Sequence, residues 1–274
     1  MTKLKLALCQ MNVIDDKLEN IKKASSMISD ASKKADFIVL PEMFNCPYSN
    51  DKFIEYGEEE DGSHTLNEIS KLACENNIYI LAGSIPEKED DKLFNTSYLF
   101  DKCGKIIAKH RKMHLFDIDV KDKITFKESD VLTAGNEFTL ADTEFGKIGI
   151  GICYDVRFPE LARIMVENGA LILFYPGAFN MTTGPAHWQL LFRSRALDNQ
   201  VYCVGVAPAL NEAASYHSYG HSIVTNPWGE VLAEAGQKEE IIFCEIDLDE
   251  IKKVREELPL LKNKRKDLYE VIEK

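Results

Sequence analysis

Three polar residues, each ending a strand-like run, make a set that could cleave an amide. Glu42 follows Ile38-Val39-Leu40-Pro41, Lys112 sits in His110-Arg111-Lys112-Met113-His114, and Cys153 follows Ile148-Gly149-Ile150-Gly151-Ile152. Strand ends beside loops are where α/β enzymes gather reacting groups. Cys153 leads into Tyr154-Asp155-Val156-Arg157-Phe158-Pro159-Glu160, which reads as a turn and then a helix opening on Pro-Glu. Its thiol is therefore expected to point off a strand, towards the positive end of a helix. In that arrangement Cys153 attacks a carbonyl carbon while Glu42 takes the thiol proton as general base. Lys112 faces the developing oxyanion, aided by a backbone N–H near Tyr154. The same ammonium is expected to favour the thiolate. Glu42 then protonates departing ammonia, and a water that it activates cleaves the thioester.

Each residue also has a plainer reading. A carboxylate after a strand commonly caps a helix, a lysine in a basic run is commonly solvated, and an apolar-flanked cysteine commonly packs in a core. Only the three together form a complete amide-cleaving set. Other signals weigh less. His110 and His114 have the spacing of a helical metal pair, but no ligand set accompanies them and the segment reads as strand-to-loop, so no metal is expected. His187 could pair with Cys153 as in a protease, though beside Trp188 it reads as a buried, hydrogen-bonded helix residue. Gly149 and Gly151 lie inside a strand without a third glycine, which is no dinucleotide fingerprint. No cofactor is expected.

The elements that would position these residues alternate along the chain. Apolar periodicity predicts a strand over 3–11 and a helix over about 16–35, with Leu18, Ile21, Ala24 and Ile28 on its buried face. A buried strand over 36–40 precedes a polar loop, a helix over 65–77 and a strand over 78–84. Strands over 94–100 and 105–109 read as a hairpin across Asp101-Lys102-Cys103-Gly104. A polar stretch over 117–136 precedes the Cys153 strand. Helices over 159–168, 186–198 and 248–258 then alternate with strands over 171–175, 201–206, 221–225 and 240–246. This pattern predicts an α/β fold with mixed sheets, in one domain spanning 1–274.

Composition narrows the partners. The 274 residues carry 33 basic and 45 acidic side chains, a formal net charge of −12, which argues against nucleic acid and anionic membranes. The acid run over 58–61 reads as a solvated loop, and the basic tail over 262–266 is too short to hold nucleic acid. No apolar stretch approaches the roughly 18 residues of a membrane span, and Met1-Thr2-Lys3-Leu4-Lys5 runs into strand pattern without a signal peptide. Seven cysteines with no Cys-x-x-Cys pair suggest a reducing cytoplasm rather than a disulfide framework.

Leu40-Pro41-Glu42, His110-Arg111-Lys112 and Gly151-Ile152-Cys153-Tyr154-Asp155 with Arg157-Phe158-Pro159-Glu160 resemble the three signatures of the nitrilase superfamily of carbon–nitrogen hydrolases. Order and spacing match over nearly the whole chain. The resemblance implies a four-layer αββα sandwich of two mixed sheets flanked by helices, dimerising through its helical faces. It implies Glu42 as base, Lys112 as oxyanion-stabilising cation and Cys153 as nucleophile. It also implies a second carboxylate at Glu128, in a polar loop that would otherwise read as solvated.

Longer runs are similar to the omega-amidase branch: 44–48, 114–120, 175–188 and 193–200. That branch hydrolyses the terminal amide of small dicarboxylate monoamides such as 2-oxoglutaramate and 2-oxosuccinamate. Such a substrate needs a group for its far carboxylate, and Arg157 suits it because the guanidinium fork accepts a carboxylate bidentately. Its plain alternative is an ion pair with Asp155 or Glu160. Phe179 and Thr183 are expected to close the pocket, with Tyr48 opposite, Tyr154 beside the nucleophile, and Thr183 as a second carboxylate contact. Ala214-Ser215-Tyr216-His217-Ser218-Tyr219 departs from the branch pattern, at either the pocket rim or the dimer face. Rival readings are a nitrilase or N-carbamoyl-amino-acid hydrolase, a glutaminase subunit feeding ammonia to a synthetase, and a non-catalytic partner-binding protein.

Overall fold

The computed structural model describes residues 3–121 and 124–273; residues 1, 2, 122, 123 and 274 of the unit expected over 1–274 lie outside the described residues. Runs rich in Ile, Val and Leu become strands buried on both faces, as sheet strands covered by helices require. Among the described residues, one sheet orders its strands Glu240–Asp247, Lys3–Gln10, Phe37–Val39, Tyr79–Glu89, Lys92–Phe100 and Ile106–Arg111. The second runs Val231–Glu234, Ile223–Thr225, Tyr202–Val206, Ile172–Pro176, Gly146–Ile150 and Thr139–Thr143. Both sheets are mixed. Lys3–Gln10, Phe37–Val39 and Tyr79–Glu89 are parallel, as are Gly146–Ile150, Ile172–Pro176 and Tyr202–Val206; the other strands of each path are antiparallel, and short Glu58–Glu59 pairs parallel with the end of Tyr79–Glu89.

The sheets pack face to face through Leu6, Leu8, Val39, Ile148, Ile150 and Val204, with the Phe37 and Phe174 rings stacked 4.9 Å apart. Helices Lys17–Ala31 and His64–Asn76 cover the outer face of the first sheet. Pro159–Glu167 and Gly184–Asn199 cover that of the second. The result is the helix–sheet–sheet–helix order that was expected. Its use is positional. Phe37–Val39 and Gly146–Ile150 end at the same seam, so Glu42 and Cys153 arrive from opposite sheets.

The structure departs from the sequence reading in places. The first helix starts after Asp16, whose side chain accepts the Glu19 N–H at 3.1 Å, and it stops at Ala31. Leu18 lies off the buried stripe, at 63% exposure. Asn20 is buried instead, accepting the Ile14 N–H at 2.9 Å and donating to the Ile14 carbonyl at 2.7 Å. The stretch read as a polar loop after Glu42 contains helix Asn50–Tyr56, anchored by buried Phe53 and Tyr56. The polar stretch over 117–136 holds a hairpin of Asp117–Val120 with Ile124–Lys127, then a 3-10 turn at Glu128–Asp130. Its alternation is masked by charged outward-facing residues. Among the described residues, no helix is long and apolar enough to cross a membrane.

Candidate active site

Glu42, Lys112 and Glu128 meet in a fully buried cluster. The Lys112 ammonium donates to Glu42 Oε1 at 3.0 Å and to Glu128 Oε1 at 2.9 Å. Further donors hold the carboxylates in place. Asn95 Nδ2 donates to Glu42 Oε1 at 2.9 Å, the Ala178 N–H to Glu42 Oε2 at 2.7 Å, and the Phe116 N–H to Glu128 Oε2 at 2.6 Å. The Tyr48 hydroxyl donates to Glu128 Oε1 at 2.5 Å and lies 3.3 Å from Glu42 Oε1. Glu128 is therefore no solvated loop residue: the missed hairpin folds it inward against the lysine.

The thiol joins this cluster through a strained turn. Cys153 is 3% exposed, opens the 3-10 turn Cys153–Arg157, and has φ of 47°, a left-handed value unusual for a side-chain-bearing residue. Gly177 lets the next strand's end pass close by, since a Cβ there would stand 3.1 Å from Cys153 Cα. Such a turn thrusts its side chain out of the sheet, here towards the Glu42 carboxylate, whose charge acts on the thiol.

Lys112 does pull the thiol pKa down, as expected, but other groups outweigh it. Burial lowers the pKa of Lys112, but Glu128 and Glu42 outweigh it and hold the ammonium well above its ordinary value. Burial and then Glu42 push the Cys153 thiol well up, against a smaller downward pull from Lys112. Two carboxylates face one ammonium, so the lysine does not leave a resting thiolate. Glu128 is raised as well, by burial first, with Lys112 opposing. The resting site is a neutral thiol beside a carboxylate. That pair can pass a proton as the sulfur attacks.

Asp155 ties the thiol turn to the lysine segment. Its buried carboxylate accepts the Ile152 N–H at 2.9 Å, the His114 N–H at 2.9 Å, His114 Nδ1 at 2.8 Å and His110 Nε2 at 3.1 Å. The histidines flanking Lys112 thus serve this carboxylate. Burial alone would raise the Asp155 pKa, but the hydrogen bonds from His110 and His114 hold it far below the usual carboxylate range. A depressed folded pKa stabilises above the unfolded value of about 4 and is lost as pH falls through the folded value. Asp155→Asn is therefore expected to cost about 2–4 kcal/mol at neutral pH, with the deficit closing below about pH 4. Urea unfolding of both proteins across pH measures this; a deficit that does not change with pH would refute the charge argument.

A model of the carbon–nitrogen hydrolase family matches residues 5–256. The chain belongs to this family. It is 50% identical to the omega-amidase NIT2 of Bos taurus over 272 residues, 99% of this chain and 98% of that protein. The omega-amidase NIT2 of Homo sapiens is 49% identical over the same shares. Among solved structures, Saccharomyces cerevisiae Nit3, a member of branch 10 of the nitrilase superfamily, superposes with a TM-score of 0.89 at 45% identity, covering 96% of this chain and 97% of that one. The C. elegans NitFhit protein does so with a TM-score of 0.90 at 34% identity, covering 99% of this chain and 67% of that one.

The remaining residues expected in this carbon–nitrogen hydrolase's pocket divide into two groups. Arg157 lies half-buried with its guanidinium 4.7 Å from the Phe179 ring centroid and 5.5 Å from that of Tyr154. Among the described residues it makes no ion pair with Asp155 or Glu160. Its Nη1 sits 3.1 Å from His187 Nδ1. His187 is exposed, not buried as its helix position suggested, because its face of Gly184–Asn199 turns from Trp188 towards Arg157. Thr183 is buried and turns its hydroxyl to Asn180 Oδ1 at 3.3 Å, so that oxygen already serves the start of helix Gly184–Asn199. The Tyr48 hydroxyl is likewise committed, to the Glu42–Glu128 cluster.

Tyr216 was not singled out as a site residue. Its ring lies 4.6 Å from the Tyr48 ring at a 30° tilt, and its hydroxyl donates to the Ala178 carbonyl. A cavity of about 430 Å³ is bordered by Glu42, Tyr48, Ala178, Tyr216 and Ser218. The departing loop over 214–219 therefore lines the pocket. Its only sequence signal was that departure. Asn95 gave none, being one of three consecutive polar residues in strand Lys92–Phe100.

Proposed function

We propose that this carbon–nitrogen hydrolase is an omega-amidase, cleaving the terminal amide of dicarboxylate monoamides such as 2-oxoglutaramate, 2-oxosuccinamate and succinamate to the acid and ammonia. The observation that carries the reading is a half-buried guanidinium at Arg157, set over the Phe179 and Tyr154 rings, with no carboxylate partner among the described residues and four residues from the thiol. Burial pushes its pKa down, so the cation gains by taking an acid partner. Full-length similarity to omega-amidases of two mammals supports the same substrate class.

In this reading Glu42 accepts the Cys153 proton as the sulfur adds to the amide carbon, and Lys112 faces the resulting oxyanion. Glu128 and Tyr48 hold the ammonium in place. Glu42 returns the proton to nitrogen, the C–N bond breaks, and ammonia leaves a thioester. Water then gives a proton to Glu42 as it adds to the thioester carbon. The C–S bond breaks, and the proton restores the thiol. No cofactor enters this scheme.

A second copy of this chain is the proposed partner. Leu190 at 63% and Leu197 at 40% exposure on helix Gly184–Asn199, with Trp228 at 48% on the turn beside Leu197, form an open apolar face that supports it. A sedimentation mass of one chain would remove the dimer from this reading. The chain acts as one unit over 1–274 in a reducing, cytoplasmic setting, which free thiols at all seven cysteines suit.

Steady-state ammonia release from 2-oxoglutaramate, 2-oxosuccinamate, succinamate, glutamine and a simple nitrile tests the function. Dicarboxylate monoamides are expected to lead, with no carbon dioxide formed. Preference for the nitrile, or for a carbamoyl compound that also yields carbon dioxide, would replace this reading with a rival.

A further inference from the structure

Two buried donors on facing loops have no acceptor among the described residues: Asn180 Nδ2 and Ser218 Oγ, the second from a residue that borders the cavity. Both residues are 5% exposed. The orientation of the Asn180 amide is fixed, because its Oδ1 already accepts the N–H groups of Thr182 at 2.9 Å and Thr183 at 3.0 Å. Nδ2 must then present both its protons elsewhere. Asn180 and Ser218 face each other across an isolated antiparallel bridge, held also by the Tyr219 N–H donating to the Phe179 carbonyl at 2.7 Å. Residues opposite one another in such a pair project from the same side. Ser218 borders the cavity with Glu42, Ala178 and Tyr216, and the bridge holds Asn180 next to it.

Buried donors without acceptors are uncommon in folded proteins, and they mark a place where something else accepts. We propose that Asn180 and Ser218 form a donor pair for the 2-oxo oxygen of the substrate, and so select 2-oxo acid amides over plain dicarboxylate monoamides. This rests on the proposed function. A keto oxygen accepts hydrogen bonds and carries no charge, which matches an amide N–H and a hydroxyl better than it matches a cation. The carboxylate next to it remains for Arg157. The pair also accounts for the loop over 214–219, whose serine reads the feature that distinguishes one monoamide from another. A site built to hydrogen-bond a substrate group discriminates strongly against the analogue lacking that group, because its own donors are then left buried and unpaired.

2-Oxosuccinamate and succinamate differ only in the 2-oxo oxygen, so kcat/KM for the two reads the contact. The wild type is expected to favour the oxo compound by about tenfold or more. Ser218→Ala removes one donor. Asn180→Asp keeps the oxygen that holds Thr182 and Thr183 and replaces the donor by an acceptor. Each change is expected to lower kcat/KM for 2-oxosuccinamate by about tenfold to a hundredfold, with a several-fold smaller loss on succinamate. Equal losses on both compounds would overturn the proposal and make the pair structural or carboxylate-binding. A wild type that favours neither compound would overturn it too while leaving the amidase reading intact. Only a wild type that hydrolyses neither would remove the amidase reading itself.

Discussion

Cys153→Ala is expected to lower ammonia release by at least about 10⁴-fold, since removing a nucleophile from a cooperating set forfeits nearly all of its rate. Folding should survive. The residue is small and its loss costs about 1 kcal/mol, while the turn around it is held by Asp155 through the Ile152 N–H at 2.9 Å. Turnover assays and urea unfolding on one preparation check both halves. Undiminished ammonia release in a folded variant would dismiss Cys153 as the attacking group. Because burial and Glu42 hold the thiol neutral, trapping experiments on the wild type add a second reading. Acylation should proceed with the proton passing to Glu42, so Glu42→Gln is expected to abolish thioester formation rather than merely slow its hydrolysis.

Arg157→Ala is expected to cut kcat/KM for amides with a distal carboxylate by roughly 30- to 1,000-fold, the effect of about 2–4 kcal/mol lost when a buried charge pair loses one member. Plain short amides, which never use the guanidinium, should lose far less. The comparison matters because Arg157 also packs on Phe179 and contacts His187. If its role is packing alone, both substrate classes fall together. Arg157→Lys should restore little, because an ammonium cannot reproduce the bidentate fork or the stacked contact.

Much of the fold was legible because burial leaves a local imprint. The runs at 36–40, 78–84, 148–153 and 171–175 are apolar enough to be buried strands, and strands Phe37–Val39, Tyr79–Glu89, Gly146–Ile150 and Ile172–Pro176 form there. Where a charged residue faces solvent at every second position, the imprint fades. The Asp117–Val120 strand was missed for that reason, and with it the turn that buries Glu128. Helix Asn50–Tyr56 is too short for a periodic pattern to declare itself. Leu18 shows the opposite failure: it belongs to an apolar series but lies beyond the edge of the stripe that the sheet covers.

The sequence by itself determined which residue types stand at the strand ends. A carboxylate, an ammonium and a thiol each end a strand-like run, and that is a property of neighbours along the chain. What the tertiary structure decided is how those charges balance. Whether Cys153 rests as thiol or thiolate depends on distances between segments far apart in sequence, where one ammonium serves two buried carboxylates. Likewise Asp155 reads as one acidic residue in a turn until the fold brings His110 and His114 against it. Asn180 and Ser218 become a donor pair only when two loops meet. Local pattern fixes burial, because the hydrophobic effect acts residue by residue. Charge state and hydrogen-bond satisfaction are set by whichever groups share the same low-dielectric space, and only the fold brings them together.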